Sequence, residues 1–145
     1  MPESAYRPWH RWPVGLIALI CVGAGALDYT LSWIGFAPYV ERLPQDWAGW
    51  LAAQPGWISI LWAVAVFAGV LGAVLLLMAE RGAVLAFALA FLASLAAGIG
   101  LVLVSDADLP VLAGLEPGVW IATAVAAQFL FWLYARWLKI RGALG

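Results

Sequence analysis

Apolar residues run along this chain in four long stretches, and most charges fall between them. Positions 14–35, 57–79, 83–104 and 119–138 each hold about the 20 residues needed to cross a ~30 Å hydrocarbon layer. The second and third stretches contain no charge. The first is interrupted by Asp28, and the fourth contains Gln128. Turn chemistry marks the breaks. Glu80-Arg81-Gly82 predicts a tight antiparallel hairpin between the second and third spans. Ser105 to Pro110 ends the third with polar residues and a proline. Glu116-Pro117-Gly118 opens the fourth, where proline suits a helix start.

The long connector 36–56 holds Pro38, Pro44 and Pro55. Within it, Gln45 to Ala53 reads as a short surface helix that places Trp47 and Trp50 at headgroup level. The pattern predicts one all-α membrane domain over residues 1–145. Its architecture is an antiparallel bundle of four transmembrane helices, with a short interfacial helix between helices one and two. An N-terminal signal peptide is the rival reading, because Arg7, Arg11 and Ala24-Gly25-Ala26 resemble its parts. The apolar run continues past Ala26 to Gly35, longer than a signal core, so an uncleaved span is expected.

Composition agrees with the pattern. Hydrophobic residues make up 66% of the chain and charged ones 10%, with a mean hydropathy of +1.00. An ordinary soluble domain is closer to 45–50% apolar and about 25% charged. Seven Lys and Arg against eight Asp and Glu leave no basic surface for nucleic acid. One cysteine and one histidine argue against a disulfide framework or a metal site, and no cofactor motif occurs. Cys21 reads as a small packing residue.

Charge also sets an expected orientation. Arg7, Arg11, Arg81, Arg136, Lys139 and Arg141 fall on one side, and only Arg42 on the other. By the positive-inside rule both termini are expected in the cytoplasm, with the chain in a bacterial inner membrane. Most tryptophans, among them Trp9, Trp12, Trp33, Trp120 and Trp137, lie at span edges as an aromatic belt.

Small residues recur at helical spacing. In lipid, such faces let helices approach closely. Helix one offers Cys21, Ala24, Gly25, Asp28, Ser32 and Gly35. Helix two offers Ala65, Ala68, Gly69 and Gly72. Helix three offers Ala83, Ala86, Ala90, Ala93, Ser94 and Ala97, and helix four Val119, Ala122, Thr123, Ala126 and Ala127. These faces are expected to meet inside the bundle, with Gly25, Gly69 and Gly72 at close approaches.

Three polar residues within the spans are the candidate site. Asp28 lies ~21 Å along the first span by helical rise. An unpartnered carboxylate there costs ~2.5–3.5 kcal/mol, so it is expected to face inward. It serves either as a polar clamp or as a protonatable, ligand-binding group. Gln128 and Ser94 lie near mid-membrane. An interhelical hydrogen bond, worth ~0.6 kcal/mol, is the plain role for Gln128. Lining a cavity shared with Asp28 is the functional one. No acid, base and nucleophile come together in sequence, so no enzyme is expected.

Several segments resemble a family of small four-span alphaproteobacterial membrane proteins, some labelled sugar transporters with no mechanism attached. They include Leu27-Asp28-Tyr29-Thr30, Tyr39, Pro55-Gly56-Trp57, Trp62 to Val66, Leu71-Gly72-Ala73, Tyr134-Ala135-Arg136 and Arg141 to Leu144. The family pattern has a basic, aromatic hairpin after helix two, where this chain has Glu80-Arg81-Gly82. Its Ser-Leu pair in helix three corresponds here, slightly displaced, to Ser94-Leu95. The resemblance implies four spans and makes Asp28-Tyr29 a family feature. The expected role is a non-enzymatic accessory or assembly subunit in the lipid bilayer, packing against a larger membrane complex or against itself. The alternative is a small-solute or proton-linked transporter, with Asp28 and Gln128 along its path.

Overall fold

A computed structural model describes residues 8–43, 47–104, 114 and 116–145. Six helices follow one another: α1 (Arg11–Trp33), α2 (Ala37–Val40), α3 (Trp47–Ala53), α4 (Gly56–Leu77), α5 (Gly82–Val104) and α6 (Pro117–Ile140). Four of them, α1, α4, α5 and α6, are long and apolar enough to cross a membrane. At 1.5 Å per residue each reaches ~33 Å, matching a bilayer core. The chain is an integral membrane protein built as a four-helix bundle, with a short helix, α3, lying between the first two spans. Gln45 and Asp46 of the expected surface helix, and the connector from Ser105 to Pro110, lie outside the described residues.

The helix ends differ from the hydropathy reading for identifiable reasons. α1 begins at Arg11, before Pro13, because a proline in the first turn lacks only an N–H that would be unpaired anyway. α6 runs on to Ile140 and closes on Gly142, whose φ is 69°. There Ala143 N donates to Leu138 O at 2.9 Å and Gly142 N to Lys139 O at 3.1 Å, a Schellman ending. α1 ends the same way on Gly35.

α4 also ends so, but the left-handed position is Ala79, with φ 64°. Glu80 N donates to Leu75 O and Ala79 N to Leu76 O. An alanine strains this backbone by roughly 1–2 kcal/mol, which glycine does not. Ala79→Gly is therefore expected to stabilise the protein by roughly 1 kcal/mol. A rise in the thermal midpoint in detergent checks this.

The spans pack in chain order: α4 lies against both α1 and α5, and α5 against α6. α1 and α6 close the bundle at the end carrying the termini. Ala18 and Val22 of α1, Ala73 and Leu76 of α4, Ala83 and Phe87 of α5, and Ala135 and Leu138 of α6 form one buried core. His10 Nδ1 and the Tyr134 hydroxyl share a hydrogen bond of 2.6 Å across this end. The residues after α6 fold back onto the α4–α5 hairpin, where Ala143 and Leu144 join the core. Arg81 N donates to Gly145 O at 3.1 Å, Gly145 N to Ala79 O at 2.7 Å, and Arg81 Nε to Leu144 O at 3.3 Å.

The small faces are only partly inside. On α4, Ala65, Gly69 and Gly72 are buried, and on α5 so are Ala83, Ala86, Ala90, Ala93 and Ala97. On α1, Cys21 and Ala24 are exposed. On α6, Ala122, Thr123 and Ala126 are exposed, contrary to the expectation that all four faces meet. The reason is the row-like packing. α6 has one extended neighbour, α5, so its wide small face exceeds what one helix can cover.

Candidate functional site: an intramembrane cavity

Beyond the core at the termini end, the four spans line a cavity of about 250 Å³. That is slightly below the roughly 300–1,000 Å³ of ordinary small-molecule sites. Cys21, Val22, Gly25 and Asp28 of α1 line it, with Trp62, Ala65 and Val66 of α4, Ser94, Ala97 and Leu101 of α5, and Trp120, Ala124, Val125 and Gln128 of α6. All three polar candidates, on three different spans, therefore reach one space. Its wall is otherwise mainly apolar.

The end of the cavity away from the termini is covered. Trp50 of α3 packs with Ile58 and Leu101, and Leu43, Trp62, Trp120 and Ile121 lie against that cluster. Five of these residues (Ile58, Trp62, Leu101, Trp120 and Ile121) also line the cavity. The sideways boundary is different: Cys21 on α1 and Ala124 on α6 line the cavity and are exposed. α1 and α6 make no extended contact with each other that would seal this side.

Asp28 is half-buried and accepts a hydrogen bond from the Tyr39 hydroxyl of α2. The chain reversal at Gly35 carries α2 back over the end of α1, which is how residues eleven apart come to touch. Next to it, the Tyr29 hydroxyl donates to Ser59 O at 3.2 Å, tying α1 to α4. Burial, then the hydrogen bond to Asp28 and the carboxylate's charge, push the Tyr39 phenol up to about 12 from 10.0. A raised value favours the neutral phenol. The stability supplied by this contact is complete below pH 10 and is lost as pH climbs from 10 towards 12. Ultraviolet titration of phenolate is expected to lose part of its late absorbance in Tyr39→Phe and to move part of it back towards 10 in Asp28→Asn.

Gln128 is 6% exposed. Its Nε2 donates to Ala65 O at 3.4 Å, and its Oε1 is buried with no hydrogen-bond partner. Because a main-chain carbonyl only accepts, that bond sets which way the amide points. The amide lies over Gly69, where an added Cβ would come within 2.8 Å of Nε2. Gly72 faces the Phe87 ring, 3.0 Å from a Cβ built there. At Gly25 a Cβ would make ordinary contact with Val66, at 3.5 Å. Three close glycines stand outside the set expected from the sequence: a Cβ at Gly15 would lie 2.6 Å from Leu77, one at Gly98 2.8 Å from Ile121, and one at Gly100 only 2.4 Å from Trp57.

Tyr39 also went unselected as a site residue. Its signal was faint: a lone tyrosine beside Pro38, within reach of Asp28 only once the chain turns at Gly35. Among the described residues no group of three or more His, Cys, Asp or Glu could hold a metal ion. In comparisons with known proteins, the chain matches no protein-family model, no curated protein and no solved structure.

Proposed function

We propose that this chain is a non-enzymatic accessory or assembly subunit, which works by packing a span against a larger membrane complex or a second copy of itself. The observation that carries this reading is the unburied face of α6. Gly118, Ala122 and Ala126 recur every fourth residue, are exposed, and form with Leu95, Ile99 and Leu103 of α5 a shallow apolar groove. Only 11% of the α6 span window is buried within the chain. Between helices in lipid, small residues at this spacing let the backbones approach closely, so that van der Waals packing can hold them together. In this reading the membrane is the bacterial inner membrane and both termini are cytoplasmic, following the basic residues.

A photo-crosslinking residue at position 122 is expected to capture a discrete protein partner, while one at Leu89, exposed on another helix, captures lipid. Ala122→Leu with Ala126→Leu should abolish the protein adduct. Lipid adducts alone at position 122 would overturn the reading.

Transport is the second reading, and the meeting of Asp28, Ser94 and Gln128 in one cavity favours it. Against it stand the apolar wall and the cover around Trp50, which leave no continuous polar route. Proton-linked transport requires Asp28→Asn to abolish activity as fully as Asp28→Leu, with normal accumulation of both. A clamp predicts a mild Asn variant and a destabilised Leu variant, whose missing acceptor leaves the Tyr39 hydroxyl unpaired.

A further inference from the structure

We infer that the cavity between α1 and α6 is a binding site for an apolar molecule with a hydrogen-bond-donating hydroxyl head, entering from the bilayer. One buried acceptor there lacks a donor. Gln128 Oε1 is buried and unpartnered, while Nε2 of the same amide is engaged by Ala65 O. Asp28 adds a carboxylate to the same space. Among the described residues no lysine, arginine or histidine lines it. An anionic head would meet a carboxylate and an orphan carbonyl oxygen with no cation to offset them. A hydroxyl supplies the missing donor and can accept in return from Ser94.

The apolar wall suits a chain, and the route is lateral. Exposed Cys21 and Ala124 border the cavity on the unsealed side, whereas the Trp50 cluster covers its far end. A buried acceptor without a donor costs about 1–3 kcal/mol, so a group that pairs it gains selectivity over one of the same shape that cannot. The α6 groove adjoins this cavity, with Gly98, Ile121 and Val125 between them, but the inference rests on different residues and stands whether or not a protein partner is captured in the groove.

The test uses the full chain in lipid nanodiscs and a decanol carrying a photoreactive diazirine, with sites of labelling mapped by mass spectrometry. Labelling is expected around Ala124 and Gln128. Unlabelled decanol should compete roughly tenfold better than decyl methyl ether, in which a methyl group replaces the donor hydrogen. Decanoate should compete no better than the ether. Gln128→Leu should erase the preference for the alcohol over the ether. Ala124→Phe, at an exposed position on the mouth, should block labelling while circular dichroism and gel filtration stay unchanged. Equal competition by alcohol and ether in the wild type, labelling confined to outward faces, or a preference that survives Gln128→Leu would each overturn the proposal.

Discussion

Gly72→Leu is expected to lower the stability of the detergent-solubilised protein by about 3 kcal/mol, at the upper end of the range for overpacking a core. A Cβ at Gly72 already lies 3.0 Å from the Phe87 ring, and the rest of a leucine side chain has nowhere to go. Phe87 is fully buried, held by the core of all four spans and by the Phe131 ring at 5.7 Å. It cannot swing aside without disturbing α6. Gly69→Leu meets the end of the Gln128 side chain at 2.8 Å and buried Val22 at 3.1 Å; the amide can move and Val22 cannot, so its effect should be large but somewhat smaller. Gly25→Ala, which makes only an ordinary contact with Val66, should be nearly neutral. Thermal unfolding of the three variants should rank them in that order. A Gly72 variant melting like the wild type would mean that α4 and α5 do not approach there.

Leu144→Ala should cost about 3 kcal/mol, within the usual range for emptying a buried leucine site. Leu144 is 2% exposed and sits with Leu138, Ala143 and the α4–α5 hairpin, although it lies beyond the last helix. Ile140, four residues earlier and 75% exposed, provides the contrast: Ile140→Ala should change the midpoint very little. Arg81→Ala should reproduce a smaller part of the Leu144 loss, since it removes the guanidinium bond to Leu144 O but keeps the main-chain bonds. If Leu144→Ala and Ile140→Ala melt alike, the tail is not anchored.

The four spans were legible because hydropathy over about 20 residues is a strong, local signal. The hairpin at residues 80–82 was legible because polar residues and a glycine interrupt two uncharged runs. Asp28, Ser94 and Gln128 stood out because a polar group in a span is expensive enough to be rare. That they share one cavity was only an option in sequence, since helical period gives a face and not the neighbour it meets. The same gap explains α6: the stripe Ala122, Thr123, Ala126 was visible, but not that one adjacent helix leaves it uncovered. α2 is four residues long and too short for any periodicity. Its consequence, Tyr39 over Asp28, depends on a left-handed glycine at position 35. The tail from Arg141 to Gly145 carries no pattern that distinguishes an anchored segment from a loose one.

The way the tail is anchored bears on how the protein is made. Every extended contact in the bundle joins consecutive spans, so α4 can dock on α1, α5 on α4 and α6 on α5 as each emerges from the ribosome. Low separation along the chain makes such steps fast. The strands of bonding from Gly145 to Ala79 and Arg81 break that sequence, because they reach back across two spans to the first hairpin. Assembly is thus a zipper whose final tooth returns to its middle. A chain truncated after residue 142 should still hold four inserted spans yet be cut by protease at the 80–82 turn, and restoring residues 143–145 should protect that turn.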